Sequence, residues 1–84
     1  SAQSRIKQIG MINILYMMHQ AHEKLTLSNI IQFTGMTRSG VIETIDILVK
    51  RGILTESLGK NSQGRGVARQ FELSSRLLDN LRAT

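Results

Sequence analysis

Two short stretches of the chain carry the side chains best suited to contacting a polyanion or a set of hydrogen-bonding groups. The first begins at Thr37 and reaches Thr44. Arg38 could donate two hydrogen bonds to a guanine or contact a phosphate, and Ser39 could contact either a base or a phosphate. Gly40 would let the backbone approach a partner closely. This is the chemistry by which the start of a helix recognises base edges in the major groove of DNA.

The second stretch is a glycine-rich loop in which every charged residue is basic. Its cations are Lys60, Arg65 and Arg69. Gly64 and Gly66 flank Arg65 and leave little bulk around a long cation, which suits insertion into a narrow minor groove or contact along phosphates. An inert, solvated hairpin tip is the other interpretation, and the neighbouring helices favour the DNA contact.

A first helix is predicted from about Gln3 to His22, a stretch with no Pro and many apolar residues. These apolar residues occupy more than the single stripe that a surface helix needs to bury. One face consists of Met11, Leu15 and Met18, and a second face of Ile9, Ile12 and Tyr16. One face would serve the core and leave the other for a protein partner; the alternative is that Met17 and Met18 wrap into the core as adaptable fillers.

Two short helices joined by a tight turn follow, which is the order of a helix-turn-helix. Residues 24–27 form a short extended segment, and Ser28 is predicted to cap a second helix that runs to about Thr34. Gly35 ends this helix with the backbone freedom that a tight reversal requires, and Met36 can fill the turn from the core side.

Thr37 is predicted to cap a third helix from about Arg38 to Arg51, the recognition helix of the pair. Its apolar residues recur at helical spacing, and Gly52 follows basic residues in the last turn, as expected where a helix ends. The residues at helical spacing are Val41, Ile45 and Leu48.

A β-hairpin and a short closing helix complete the chain. Residues 53–56 are predicted to form one strand and residues 67–73 the returning strand, with Phe71 and Leu73 on one face and a long flexible tip over residues 59–66. Ser74 or Ser75 then caps the last helix, whose apolar positions are Leu77, Leu78 and Leu81. The predicted fold is one domain over residues 1–84, mainly α with a small β-hairpin: a winged helix-turn-helix in the order α-β-α-α-β-β-α.

Residues 25–73 combine four features in order. A helix starts at Leu27, a second helix starts with polar residues over 37–44, a basic residue, a Gly and an apolar pair follow Leu48 at 51–54, and a charged wing comes last. This stretch resembles the winged-helix regulators of the MarR type. The resemblance implies a bacterial transcription regulator that binds a pseudo-palindromic duplex as a homodimer, through its third helix and wing. It also implies long terminal helices around a ligand pocket, but only ten residues follow Ser74, so no small-molecule effector is predicted.

Two departures from that family bear on the third helix. Glu43 stands where relatives often have a polar or basic residue, and it could contact cytosine, steer an Arg or weaken DNA contact. Ile42, Ile47 and Val49 are more apolar than an exposed recognition helix requires. A winged helix used as a protein-interaction module, without direct DNA recognition, is therefore the alternative function.

Two sets of residues follow from these patterns. The residues predicted to contact DNA are Ser28, Thr37, Arg38, Ser39, Gly40, Glu43, Thr44, Lys60, Asn61, Arg65 and Arg69. The residues predicted to form a homodimer interface are Ile9, Ile12, Tyr16, Leu77, Leu78 and Leu81. Pairing first helices across a two-fold axis would place two recognition helices about 34 Å apart, the spacing of successive half-sites on DNA.

The composition agrees with a DNA-binding domain and argues against several other classes of protein. Eleven Lys and Arg against six Asp and Glu give the 84 residues a net charge of +5, which favours polyanionic partners. With no Cys, the chain has no disulfide, no thiolate nucleophile and none of the commonest structural zinc sites, and a reducing, cytoplasmic location is expected. The longest apolar stretch, near Met11 to Met18, is far shorter than the roughly 20 residues that cross a bilayer.

Catalysis and cofactor binding are not predicted. His19 and His22 are the only imidazoles, and no Ser lies in a nucleophile-elbow or triad pattern. His19, His22 and Glu23 share a helix face and could hold a metal, although such a group at a helix end is more often solvated. The expected partner is double-stranded DNA, with no cofactor and no metal.

Overall fold

The computed structural model of the chain describes residues 1–60 and 67–82, with side chains described over residues 1–57 and 69–82. Its elements are α1 (Ala2–Gln20), α2 (Leu27–Thr34), α3 (Arg38–Lys50), β1 (Leu54–Lys60), β2 (Val67–Leu73) and α4 (Ser75–Arg82). Within those residues the fold is mainly helical with one antiparallel two-stranded hairpin, an arrangement compatible with a winged helix-turn-helix.

Helix α1 begins at a side-chain cap and ends where the backbone leaves helical space. The hydroxyl of Ser1 accepts a hydrogen bond from the amide of Ser4 at 3.2 Å. The helix ends at Gln20 rather than at His22, because His22 adopts a φ of 59°, which a right-handed helix cannot include. The face predicted to enter the core is buried: Met11, Leu15 and Met18.

Helix α2 is capped by Thr26 and not by Ser28, which corrects the sequence-based prediction. The side chain of Thr26 accepts the amide of Asn29 at 3.2 Å. An N-cap residue needs an extended backbone. Thr26 has one, because it forms a β-bridge with Gln70 and so takes φ −98° and ψ 158°. Of the extended segment predicted over residues 24–27, the structure has only this single bridge at Thr26. Ser28 lies exposed inside the first turn of α2.

The turn between α2 and α3 has the predicted chemistry. Gly35 adopts φ 70°, a left-handed conformation that costs little only for glycine, and its amide donates to Ile31 O at 2.9 Å. Thr37 caps α3 by accepting the amide of Gly40 at 3.1 Å. The start of α3 is therefore fixed within a few residues of the end of α2.

Helix α3 lies at the centre of the domain and contacts α1, α2 and β1. Its inner face is a stripe at helical spacing, made by Val41, Ile45 and Leu48, each fully buried. The core that surrounds this stripe draws on every element except α4, whose leucines pack on it from outside. Its buried apolar residues are Met11, Leu15, Met18, Leu25, Leu27, Ile30, Val41, Ile45, Leu48, Leu54, Phe71 and Leu73.

The hairpin is longer than the sequence pattern indicates. Strand β2 occupies the predicted residues, but β1 runs from Leu54 to Lys60, and Gly59 and Lys60 pair with Ala68 and Val67 instead of lying in the tip. Residues 57–60 lack the apolar alternation of a half-buried strand, so their strand state comes from pairing with β2 and not from local propensity. The other predicted tip residues, 61–66, lie outside the part of the chain that the structure describes.

Ser74 resolves the choice of cap for the last helix. Its hydroxyl accepts the amide of Leu77 at 3.2 Å, and α4 follows from Ser75. Leu77 and Leu78 pack against the core and are only half-buried. Over the described residues, no helix combines the length and apolar character needed to cross a membrane.

The capping geometry of α2 predicts different outcomes for two neighbouring hydroxyl residues. Thr26→Ala removes the cap and is expected to lower the free energy of unfolding by about 1 kcal/mol. Ser28→Ala, at an exposed position inside the helix, is expected to change it by less than about 0.5 kcal/mol. Urea unfolding followed by circular dichroism measures both. Equal losses, or a larger loss for Ser28→Ala, would show that Ser28 is the cap.

Candidate nucleic-acid interface

The first turn of α3 presents polar side chains to solvent. Arg38 and Ser39 are exposed, as is the cap residue Thr37. The hydroxyl of Thr37 is engaged by Gly40 and lies 3.5 Å from the hydroxyl of Ser39, which orders this turn. Arg38 takes part in no ion pair among the described residues. Its guanidinium is thus available at the helix end where the macrodipole favours anions.

Gly40 has an internal role that the sequence does not reveal. A Cβ at this position would lie 3.0 Å from Thr37 Oγ1 and 3.6 Å from Met36 Cε. The first distance is tighter than ordinary van der Waals contact, so the absence of a side chain leaves room for the cap. Gly40 is half-buried. It shapes the candidate interface indirectly, by leaving room for the Thr37 side chain that caps α3.

Two further predicted contacts on α3 differ sharply in exposure. Glu43 is exposed, one turn after Ser39 on the outward side of the helix. Thr44 is only 4% exposed, and its hydroxyl donates to Gly40 O at 3.1 Å. The prediction that Thr44 contacts DNA is therefore corrected, because α3 packs this side of the helix against the core and the side chain is buried. Ser28 is exposed in the first turn of α2 and keeps its place in the set.

The apolar residues that make α3 unusual are largely accounted for by the core. Ile42 and Val49 are half-buried and pack against it. Ile47 is also half-buried and lines the groove between α3 and α1. The outward side of α3 therefore offers less apolar surface to a protein partner than the sequence indicates.

Arg69 joins the hairpin to α3 and is not a free cation. Its Nε donates to Glu56 Oε2 at 2.7 Å and its Nη2 to Asp46 Oδ1 at 2.7 Å, with a further bond to Glu56 Oε1 at 2.9 Å. The guanidinium carbon lies 5.2 Å from the centre of the Phe71 ring. Two carboxylates neutralise Arg69, so its assignment as a phosphate contact is corrected to a bridge between α3 and the hairpin.

The electrostatics of this cluster follow from its hydrogen bonds. The bond from Arg69 is the main reason that the pKa of Glu56 lies below its usual value, and the hydrogen bonds to two carboxylates raise the pKa of Arg69.

The remaining predicted wing contacts are outside the described side chains. Lys60 pairs through its backbone in β1, while Asn61 and Arg65 fall in residues 61–66.

A second polar network, which sequence reasoning missed, ties the start of α1 to the end of α3. The buried Gln8 donates from its amide nitrogen to Ser4 Oγ at 3.1 Å, and Arg51 donates to Gln8 Oε1. Beside this network, a groove of about 180 Å³ is lined by Lys7 from α1 and by Glu43 from α3. No local pattern marks these residues, because the bond from Arg51 to Gln8 spans 43 positions.

The predicted homodimer residues divide into exposed and partly covered groups. Ile9 is 60% exposed, and Ile6, which was not assigned although it lies three residues before Ile9, is 69% exposed. The others are half-buried, and Leu77 and Leu78 pack on this chain's own core. The half-buried members are Ile12, Tyr16, Leu77, Leu78 and Leu81.

The described residues contain no cluster of three His, Cys, Asp or Glu side chains placed to hold a metal ion. His19, His22 and Glu23 line an open cavity at the far end of α1, near Leu78, without forming such a set. The cavity is a surface depression between α1, β2 and α4.

Comparisons with known proteins bear on the fold. No family model matches the chain, and no curated protein sequence matches it. Among solved structures, the chain is similar to Stf76 from the Sulfolobus islandicus plasmid-virus pSSVx, with a TM-score of 0.62 and 22% sequence identity over 84% of this chain and 92% of that one. The likeness shows a shared fold. The MarR-type resemblance remains a hypothesis from the sequence.

The Arg69 bridge predicts a pH-dependent loss of stability. Arg69→Met is expected to lower the free energy of unfolding by about 1–2 kcal/mol at neutral pH, the sum of modest surface ion pairs and a ring contact. The pKa of Glu56 is depressed in the folded chain, so its contribution is present above the usual value of 4.5 and is lost as pH falls through the depressed value. The difference in the free energy of unfolding between the unsubstituted chain and Arg69→Met should therefore shrink below pH 4.5.

Denaturant unfolding of both chains over a series of pH values measures this difference. Arg76→Met on α4 is the matched control, because Arg76 is exposed and makes no ion pair among the described residues. A constant difference across the acid range, or an equal loss in the control, would contradict the bridge.

Proposed function

We propose that this domain binds double-stranded DNA with sequence preference, placing the start of α3 in the major groove. The observation that carries the proposal is the exposed turn formed by Thr37, Arg38 and Ser39, rigidly capped and held at the end of a two-helix unit. A net charge of +5 supplies general attraction to the phosphate backbone. The likeness to a solved structure supports the fold on which this proposal rests.

The geometry of α3 supports a division of labour between its two sides. The inner stripe is buried, so the helix cannot rotate about its axis, and the outward residues Ser39 and Glu43 hold a defined direction. Arg38 can pair with guanine, and Glu43 can accept a hydrogen bond from the amino group of cytosine. Ser28, exposed in the first turn of α2, is proposed to contact a phosphate and so to help fix the register of the domain on DNA.

The hairpin contributes as a wing in this proposal. Lys60, Asn61 and Arg65 remain predicted contacts to phosphates or the minor groove, on the basis of the sequence alone. Arg69 orients the wing instead of touching DNA, because its bonds to Asp46 and Glu56 hold β1 and β2 against α3. A role in transcription regulation rests on the resemblance to the MarR-type regulators, which are bacterial proteins.

A protein contact is the second function that a specific observation favours. Ile6 and Ile9 lie one turn apart on the outer face of α1, and Met17 is 58% exposed on the same helix. Ile6 and Ile9 form an exposed apolar patch, which the polar Asn13 separates from Met17, and exposed apolar patches mark protein interfaces. We propose that a second copy of the chain covers the patch of Ile6 and Ile9, which gives a homodimer suited to a two-fold symmetric site.

Substitution of Arg38 is expected to change sequence preference. Selection from a random duplex library should yield an enriched motif with the unsubstituted chain, and Arg38→Ala should relax one position of that motif at a cost of about 1–3 kcal/mol there. Arg76→Ala, with the same loss of charge on α4, should leave the motif intact. Failure to enrich any motif, or uniform weakening over all sequences, would contradict base recognition by α3.

Substitution of Ile9 is expected to separate the homodimer. Sedimentation equilibrium at micromolar concentration should show a dimer for the unsubstituted chain and a monomer for Ile9→Asp, because a buried carboxylate in an apolar contact is strongly unfavourable. Phe33→Asp is the matched control, since Phe33 is 51% exposed but lies on α2. A monomeric unsubstituted chain, or a dimeric Ile9→Asp, would refute this interface.

A further inference from the structure

The outward side of α3 carries two acidic residues, an arrangement that opposes the approach of phosphates. Asp46 lies on the hairpin side, where it forms an ion pair at 2.7 Å with Arg69, a cation that it shares with Glu56. Glu43 lies on the α1 side and lines the groove between the two helices. Lys7 lines the same groove from α1, but among the described side chains it forms no ion pair with Glu43.

The two cations differ in what they leave available. Arg69 forms ion pairs with two carboxylates, so its positive charge is already neutralised. Lys7 is exposed and makes no ion pair with any residue whose side chain the structure describes. Lys50 is exposed further along α3 and makes no ion pair in the same part of the chain. On the α1 side of α3, Lys7 is therefore an exposed cation outside any ion pair of the described residues, in the groove that Glu43 also lines.

The position of Lys7 is fixed by the network beside it. Gln8 is buried, bonded to Ser4 within α1 and to Arg51 at the end of α3. This joins the first turns of α1 to α3 independently of the apolar core. A cation on a flexible segment would lose more conformational entropy on binding than one held on a docked helix.

The dimensions of B-DNA bring this groove close to a phosphate strand. The major groove is about 12 Å wide, and an α-helix with its side chains is about 10–12 Å across, so phosphates lie on both sides of a helix in the groove. Elements that pack beside α3 at about 8–10 Å therefore face those strands. The hairpin occupies one side of α3, and the start of α1 occupies the other.

We propose that Lys7 binds the phosphate backbone of duplex DNA on the side of α3 opposite the hairpin, which extends the interface to α1. The proposal rests on the proposed function, since it requires α3 to lie in the major groove.

The test is the salt dependence of binding to a labelled duplex of about 20 random base pairs, followed by fluorescence anisotropy. Each phosphate contact contributes about 0.9 to the slope of log affinity against log salt. Lys7→Ala should reduce the slope by that amount. The affinity ratio between the unsubstituted chain and Lys7→Ala should then be about 3.5-fold greater at about 50 mM salt than at about 200 mM.

Two variants separate a phosphate contact from a general effect of charge. Lys7→Arg keeps the cation and should keep the slope. Arg82→Ala removes a charge near His19, which is about 18 Å from Lys7 along α1 at about 1.5 Å per residue, and should also leave the slope unchanged.

The outcomes distinguish this inference from the function it rests on. If the unsubstituted chain binds the duplex and Lys7→Ala shows the same slope, the α1 contact is refuted and DNA binding stands. If Arg82→Ala lowers the slope as much as Lys7→Ala, the effect is one of net charge and the contact is again refuted. If the unsubstituted chain does not bind, both proposals fail.

Discussion

The buried stripe of α3 is the constraint on which the rest of the domain depends. Val41, Ile45 and Leu48 are inaccessible to solvent, and α1, α2 and β1 all pack around the helix that carries them. Truncating such a side chain typically costs about 2–5 kcal/mol, a large part of the stability of a small domain. Because this stripe cannot leave the core, the opposite side of α3 is held outward in a single orientation.

Polar contacts then set how the neighbouring elements lie against α3. Arg69 joins the hairpin to Asp46 on one side, and Arg51 joins α1 through Gln8 on the other. The ion pairs of Arg69 contribute little stability compared with the core, typically less than about 1 kcal/mol each, and the contact from Arg51 to the neutral amide of Gln8 is a single hydrogen bond. Their effect here is geometric, because they orient the two elements that flank the proposed DNA-facing helix. The first turn of α3 stays exposed between those elements.

The likeness to Stf76 illustrates which features carry a fold. At 22% identity most side chains differ, yet the two chains share a fold over 84% of this one. Cores accept different apolar residues when volume and periodicity are kept, whereas a surface can change completely without altering the fold. The outward residues of α3 and the exposed residues of α1 are therefore free to differ between two chains that share this fold.

The sequence by itself determined the four helices and the hairpin, the turn at Gly35, the cap at Thr37 and the buried faces of α1 and α3, because each depends mainly on residues a few positions apart. Tertiary packing decided the rest. Thr26 caps α2 because Gln70, remote in sequence, holds it extended. Arg69 is neutralised because α3 brings Asp46 to the hairpin, 23 positions away. Lys7 and Glu43 line one groove only because α1 docks beside α3. A side chain's partners depend on which elements pack together, and local periodicity does not encode that pairing.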